Sequence, residues 1–458
     1  MTIDQPRLDQ ESSPGSQMPA TTVTHGQVLK IALPITLASI STPLVGIVDT
    51  AVVGQLGNEA LIGGIAAANV IINLVFFTFN FLRSPTTAMV SQAFGAGHGI
   101  EMLAHALRAI CLAFAAGLIA VALQWPIAYA GFSLLGVGED VRAAGMVYFG
   151  IRVWSAPLLL VNYALVGWLF GQGSFLPGLA LQAVLNLVNA ILSIAFVLHF
   201  DWGVAGAALA TVAAETATAL AGGILIARAL HGKARAVLSA LPDMRQLKRI
   251  LSINADILLR SMILFFSIAL FTRESAAFGT AMLAANVVLM NLFYFSGAMI
   301  QGLAVAAQHL AGRAVGGCDR VMFETSVNLS VFWSVATGFA VAAVYLIVQD
   351  PIIALMTASP DVRALAHAYF HWALLTAPLG SLAFVMDGVF IGATWARDIR
   401  NMMLVASACY LLLIFTLIPW LGNDGLWIAF LAFLAVRGFT LRWRMNRLMS
   451  RTFPLPSR

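Results

Sequence analysis

The sequence predicts an all-α membrane protein of twelve transmembrane helices in two six-helix bundles, and three observations carry that prediction. Hydrophobic residues make up 60% of the 458 and charged ones only 10%. That is more apolar side chain than a soluble core can enclose, so lipid must solvate part of the surface. A span needs ~20 apolar residues, and the chain offers twelve such runs, six in each half. The halves also read as one passage written twice. Ala67-Ala68-Asn69-Val70 leads through aromatic-rich apolar sequence to Gln92, and about 217 residues later Ala284-Ala285-Asn286-Val287 leads the same way to Gln308. Gly167-Trp168-Leu169-Phe170-Gly171 is echoed by Gly388-Val389-Phe390-Ile391-Gly392, and Gly203-Val204 by Gly425-Leu426. Duplicated halves around a midplane cavity are the usual build of secondary transporters, because rocking one half against the other exposes a single site to each side in turn.

In chain order, residues 1–27 are rich in Pro, Ser, Thr and Gln and lack a basic-then-apolar signal pattern, so a disordered cytoplasmic tail is expected. The N-lobe, 28–230, takes spans at 31–54, 61–94, 104–131, 146–170, 176–199 and 203–228. The polar stretch 231–248 is the only long polar interior loop and reads as the linker between lobes. The C-lobe, 249–447, takes spans at 249–271, 278–310, 322–349, 366–392, 400–421 and 425–443, and a second cytoplasmic tail follows at 448–458. With six spans per half, the second half enters from the same side as the first, so the repeats are parallel.

Arg228, Lys233, Arg235, Arg245, Lys248 and Arg249 lie after span 6, and Arg442, Arg444, Arg447 and Arg451 after span 12. The opposite loops hold chiefly Arg142, Arg273 and Arg363 beside Glu139, Asp140, Glu274, Asp350 and Asp361. The positive-inside rule therefore puts both termini in the cytoplasm of a multi-pass inner (plasma) membrane protein. The same clustering accounts for the net charge of +5 without a nucleic-acid partner. Cys111, Cys318 and Cys409 are scattered with no CxxC spacing, which argues against a disulfide framework and a thiolate metal site.

Pro34 and Pro43 in span 1 and Pro85 in span 2 each remove a backbone donor and invite a kink, as packing bends or as hinges. Ionisable side chains inside spans are costly and are treated as functional candidates: Asp49, Arg83, Arg152, Glu215, Asp256, Arg260 and Asp387. Asp49 stands about 18 residues into span 1, hence ~27 Å from its start. A carboxyl held there in low dielectric gains a raised pKa and can exchange protons near neutral pH. Asn69, Asn73 and Asn80 fall within ~40° of one helix face, an amide stripe facing a hydrated cavity or another helix. Thr211 and Glu215 are one turn apart on span 6, while Asp256 and Arg260 are expected to neutralise each other at i and i+4. Arg83 near Ser84-Pro85, and Arg400 with Asp398 and Asp387, are expected to act as locks or anchors at the cytoplasmic side.

No Walker glycine loop, HExxH or DxDxDG loop occurs, so neither ATP hydrolysis nor metal hydrolysis has support and no enzyme is expected. Energy must come from an ion gradient, a partner or the substrate's own gradient.

The chain resembles the multidrug and toxic compound extrusion (MATE) family, and within it the DinF-like branch. The resemblance covers nearly everything after residue 28. It rests on L-P-I-T-L at 33–37, P-L-V-G-I-V-D-T-A-V-V-G-Q-L-G at 43–57, F-L-R-S-P-T-T at 81–87 leading to Q-A-F-G-A-G at 92–97, D-G-V-F-I-G-A-T at 387–394 and R-D-I-R-N at 397–401. It implies two bundles in a V-shaped arrangement and antiport of organic compounds against protons or sodium. Asp49 matches the branch's coupling-ion acid, Pro34 the proline at which span 1 bends, Asn189 the span 5 asparagine and Thr211 a span 6 cavity threonine. Many relatives carry an aspartate four residues after that asparagine, where this chain has Ser193. Either one acid suffices, or Glu215 supplies the second.

The expected site is therefore an ion-coupling group of Asp49, Asn189, Thr211 and Glu215, a cavity lined by Asn69, Asn73, Asn80, Ser193 and Asn286, and bends or gates at Pro34, Pro43, Arg83, Asp387 and Arg400. With Ser193 in place of an acid, the proton is the expected coupling ion and sodium the alternative, with no other cofactor. Small organic cations or amphiphiles in a lipid bilayer are the expected substrates of a monomer. A flippase for lipid-linked precursors remains the alternative class, though its anionic cargo calls for more intramembrane basic residues.

Overall fold

Described residues of the computed structural model are 23–54, 59–79 and 82–454, with side chains of 40–54, 59 and 73–79 outside that set. The first half comprises α1 (His25–Gly54), α2 (Glu59–Phe79), α3 (Arg83–Gly95), α4 (Gly99–Ala122), α5 (Gln124–Leu135), α6 (Glu139–Arg152), α7 (Ala156–Gly171), α8 (Phe175–Ile194) and α9 (Gly203–Leu230). The short α10 (Ala234–Ala240) precedes the second half: α11 (Met244–Ala277), α12 (Thr280–Gly316), α13 (Arg320–Ile347), α14 (Gln349–Met356), α15 (Pro360–Gly392), α16 (Ala396–Leu421) and α17 (Asn423–Thr452). Among the described residues 10 helical stretches are long and apolar enough to cross a membrane, and they match predicted spans 3 to 12. Spans 1 and 2 fall on α1 and on α2 with α3, which are described only in part.

Large apolar side chains such as Leu118, Phe339 and Phe415 point outward, which suits a surface bathed in hydrocarbon. The duplication persists in detail: a short helix, α5 or α14, follows the third span of each half. Predicted span 3 is broken at Leu123 because Pro126 cannot continue the ladder in the first turn of α5. Predicted span 4 carries a tight turn at Val153–Ser155 just before Pro157, within a longer helical stretch, Glu139–Gly171.

The linker is not the loop that its polarity suggested. It folds into α10, whose Val237 is fully buried, and Arg108 on α4 holds the Ala240 and Leu241 carbonyls. Glu101 in turn holds Arg108 at 2.8 Å. The side chain of Asp243 then caps α11, accepting from the amide of Arg245 at 2.9 Å. A helix of seven residues is too short to hold by propensity alone and is stabilised by these contacts.

Glycines set how closely helices approach. A Cβ added at Gly167 would stand 2.7 Å from the Arg83 carbonyl oxygen and one at Gly171 2.9 Å from that of Thr87, so α7 rides on the backbone of α3. Their echoes, Gly388 and Gly392, place α15 on the carbonyls of Ala304 and Gln308 of α12. Between the halves, Gly302 of α12 lies against Ala32 and Thr36 of α1, and Thr36 Oγ1 donates to the Met299 carbonyl at 3.2 Å. Val28 and Ala32 of α1 accordingly join a core with Ile253, Ile257, Phe323 and Met445 of the second half. The first helix thus belongs as much to the second bundle as to its own.

Gly388→Val is expected to cost about 1–3 kcal/mol through overpacking, whereas Gly150→Ala, at a position with open space, should stay within about 0.5 kcal/mol. Thermal melts of the detergent-solubilised variants check this, and a Gly388→Val melt equal to the parent's would contradict the close approach.

Candidate functional site

The polar interior of the first half is built where α8 and α9 meet, beside α1. Asn189, 4% exposed, donates from Nδ2 to Thr211 Oγ1 at 2.9 Å, and Thr211 donates to the Ala207 carbonyl one turn back. The Oδ1 of Asn189 has no hydrogen-bond partner among the described residues, an acceptor left ready for a donor or a cation. Ser193 is buried one helical turn further along α8. The structure thus brings Asn189 and Thr211 into direct contact. Asp49 and Pro43 lie on α1 but their side chains fall outside the described residues, as do Asn73 and Asn80. Pro34 lies within α1, which runs helical through it. Asn69 is half-buried on α2.

Glu215 lies one turn beyond Thr211, but its carboxylate is taken. Arg152 grips it through two bonds, Nη2 to Oε1 at 2.7 Å and Nη1 to Oε2 at 3.1 Å. Ser155, in the tight turn after α6, receives a further Arg152 donor and returns its hydroxyl proton to the Arg152 carbonyl at 2.8 Å. Asn162 of α7 donates to the Glu215 backbone carbonyl at 3.1 Å. The turn at Val153–Ser155 is what lets α6 aim Arg152 inward while α7 continues. Glu215 is 12 residues into α9, about 18 Å deep, where a lone carboxylate would be costly and a bidentate partner makes it neutral in sum.

At the end bearing α10 and the last turns of α17, the repeated glutamines cross between halves. Gln92 of α3 donates to the Gly392 carbonyl at 2.8 Å and to Thr394 Oγ1 at 3.3 Å. Gln308 of α12 reaches back to the Ser84 carbonyl at 2.6 Å. Arg249 adds bonds to Gln92 Oε1 at 3.4 Å and Thr394 Oγ1 at 3.2 Å. Gly95 and Gly316 let α3 and α12 touch, facing the carbonyls of Arg313 and Gln92. His309 packs edge-on against Phe175 at 5.2 Å. Arg83 opens α3 next to this seam, within electrostatic reach of Tyr163.

In the second half the expected Asp256–Arg260 pair does not form. Asp256 pairs with Arg400 at 2.5 Å, and Arg260 with Asp387. Arg437 of α17 also meets Asp387. The expected grouping of Arg400 with Asp398 and Asp387 dissolves too, since Asp398 pairs with Arg444 at 2.7 Å. Asp256 and Arg260 face different neighbours of α11, namely α16 and α15, and each charge is met by the helix packed against it rather than by the residue one turn away. Asn286 is 1% exposed and its amide is occupied: it donates to Ser275 Oγ at 2.9 Å and Asn423 Oδ1 at 2.7 Å and accepts from Trp427 Nε1 at 2.9 Å. It borders a cavity of about 150 Å³ with Phe271, Met290 and Tyr294, and serves first as the staple joining α11, α12 and α17.

Sequence reading missed Arg108, Asn162 and Arg437. Arg437 falls well inside span 12, and ranking it with the intramembrane charges rather than the basic tail would have found it. Among the described residues no group of three His, Cys, Asp or Glu could hold a metal ion.

The MatE family model matches residues 34–195 and 257–418, one copy in each half. The chain is 35% identical over 421 residues to DNA damage-inducible protein F of Escherichia coli, covering 91% of both chains. It is 26% identical over 436 residues to Protein DETOXIFICATION 44, chloroplastic, of Arabidopsis thaliana, covering 92% of this chain and 82% of that one. Among solved structures, the Vibrio cholerae MATE transporter VcmN in its bent form superposes with a TM-score of 0.79 at 22% identity, over 93% of this chain and 97% of that one. A MOP superfamily transporter from Pyrococcus furiosus superposes with a TM-score of 0.81 at 15% identity, over 94% and 97%.

Two outcomes test the site's construction. Glu215→Leu or Arg152→Met alone should destabilise by about 3–5 kcal/mol, and the two substitutions together should recover most of the loss; a double-mutant cycle of melting midpoints decides. Gln92→Ala with Gln308→Ala should loosen the seam and raise maleimide labelling of a cysteine placed at Ser84, while unchanged labelling would show that the glutamines do not hold it.

Proposed function

The chain belongs to the MATE family of multidrug transporters, and we propose that it exports organic cations or amphiphiles across the inner (plasma) membrane in exchange for protons. The observation that carries the choice of ion is the Arg152–Glu215 pair. Position 193 is serine, and the carboxylate nearest to Thr211 along α9 is already neutralised by a guanidinium. Asp49 is then the acid left to load the coupling ion in this half. A proton needs one carboxyl, whereas a bare sodium ion is held best by several oxygens.

The proposed cycle follows from this arrangement. Protonation of Asp49 from outside removes its charge and alters the packing of α1, with Pro34 and Pro43 as the bends. Because Val28, Ala32 and Thr36 of α1 are held by the second half, a change along α1 is felt at the interface between halves. Cargo leaves outward, and deprotonation inward resets the carrier. Asn189 with its open acceptor, and Thr211 beside it, stabilise the protonated acid by hydrogen bonding, while Asn69, Asn73, Asn80 and Ser193 offer polar contacts to cargo. The seam at Gln92 and Gln308 closes the cytoplasmic side in this reading, with both termini in the cytoplasm as the basic loops direct.

The test is efflux of a fluorescent organic cation from proteoliposomes under a proton gradient, a sodium gradient or neither. Proton-driven efflux that disappears in Asp49→Asn, with the melt unchanged, is the expected result. Efflux driven by sodium alone, or persisting at parental rate in Asp49→Asn, overturns the reading, and no efflux under either gradient favours the flippase.

A further inference from the structure

The intramembrane charges of the second half do not balance. Asp256, Arg260, Asp387, Arg400 and Arg437 form one connected group, because Asp256 and Arg260 are a single turn apart on α11. Asp256 is satisfied by Arg400, leaving the one carboxylate of Asp387 between two guanidinium groups. Arg437 is 1% exposed, its Nε donates to Asp387 Oδ1 at 3.3 Å, and its guanidinium lies 5.7 Å over the Phe384 ring. Its Nη1 and the Nε of Arg260 have no hydrogen-bond partner among the described residues. Arg437 stands 14 residues along α17 and Arg260 16 residues along α11, about 21 and 24 Å from their helix starts.

An unneutralised guanidinium in a span is costly, and unlike a lysine it cannot shed its proton. It retains unused donors fixed in a plane, which is the arrangement that binds halides and carboxylates. We propose that the second half holds a binding site for a small monovalent anion, a halide or a carboxylate group, seated on Arg260 and Arg437 beside Asp387. The anion brings the group to neutrality and occupies the idle Arg437 Nη1 and Arg260 Nε. Arg260, with a side chain 14% exposed against 1% for Arg437, is the approach to it.

The site is read by binding, without transport, so its failure and that of the antiport reading are separable. Full-length protein in nanodiscs is melted in sodium chloride, bromide, acetate and the bulky isethionate at equal ionic strength. Chloride or acetate should raise Tm by about 2 °C or more over isethionate. The gain should vanish in Arg260→Gln and Arg437→Gln and grow in Asp387→Asn, which leaves a second cation unpaired. Equal melting in all four salts, or a gain undiminished in both arginine variants, overturns the proposal. Should the variants fail to fold, bromide-soaked crystals decide: an anomalous peak within hydrogen-bond reach of Arg437 Nη1 supports the site, and its absence there refutes it. Displacement of that bromide by acetate would assign the site to a carboxylate-bearing molecule, and indifference to acetate to a resident halide.

Discussion

Hydrocarbon solvates no charge, so a carboxylate or guanidinium within the spans is stabilised by a counter-charge inside the protein, and the pairs formed in this way tie the helices of this chain together. Arg152 and Glu215 join α6 to α9 across 63 residues of sequence. Asp387 gathers α11 and α17 onto α15, from 127 residues before it and 50 after. Asp256 and Arg400 join α11 to α16 across 144. Breaking one such pair strands a charge in lipid, which costs more than the pair itself contributes, so these contacts specify neighbours as much as they stabilise them.

Where no charge directs the packing, backbone contact does. Lipid tails are as apolar as leucine, so burying leucine between helices is not by itself a driving force, and small residues that bring backbones together take over. The glycine pairs at 167 and 171 and at 388 and 392 perform this in both halves. The halves therefore share a packing scheme while their charges differ. The first holds a neutral ion pair beside a hydrogen-bonded Asn189 and Thr211, and the second holds three arginines for two aspartates.

The interface between halves draws on both devices. Gln92 and Gln308 are equivalent in the repeat, yet each serves the opposite half, donating to carbonyls at Gly392 and Ser84. Helix α1, whose early turns pack with Phe323 and Met445 of the second half, also lies against α8 of the first and so touches both.

Much of this was legible in the sequence. Span length, the repeat of Ala-Ala-Asn-Val and Gln, and the family motifs determined the helices, the duplication and the family, because each is read from the order of residues without knowing which side chains meet in space. Asn189 and Thr211 were named from their motifs, and the structure sets them side by side. The charge partners were not legible. Asp256 and Arg260 look like a pair at i and i+4, but a side chain on a helix face meets whichever helix packs there, and no local pattern states which. Arg437 went unranked beside the basic tail, and the linker's helix was hidden because Arg108, 132 residues away, is what holds it. Composition and periodicity determined what crosses the membrane; only the tertiary packing decided which charges face each other, because in a low dielectric that choice is made between helices rather than along them.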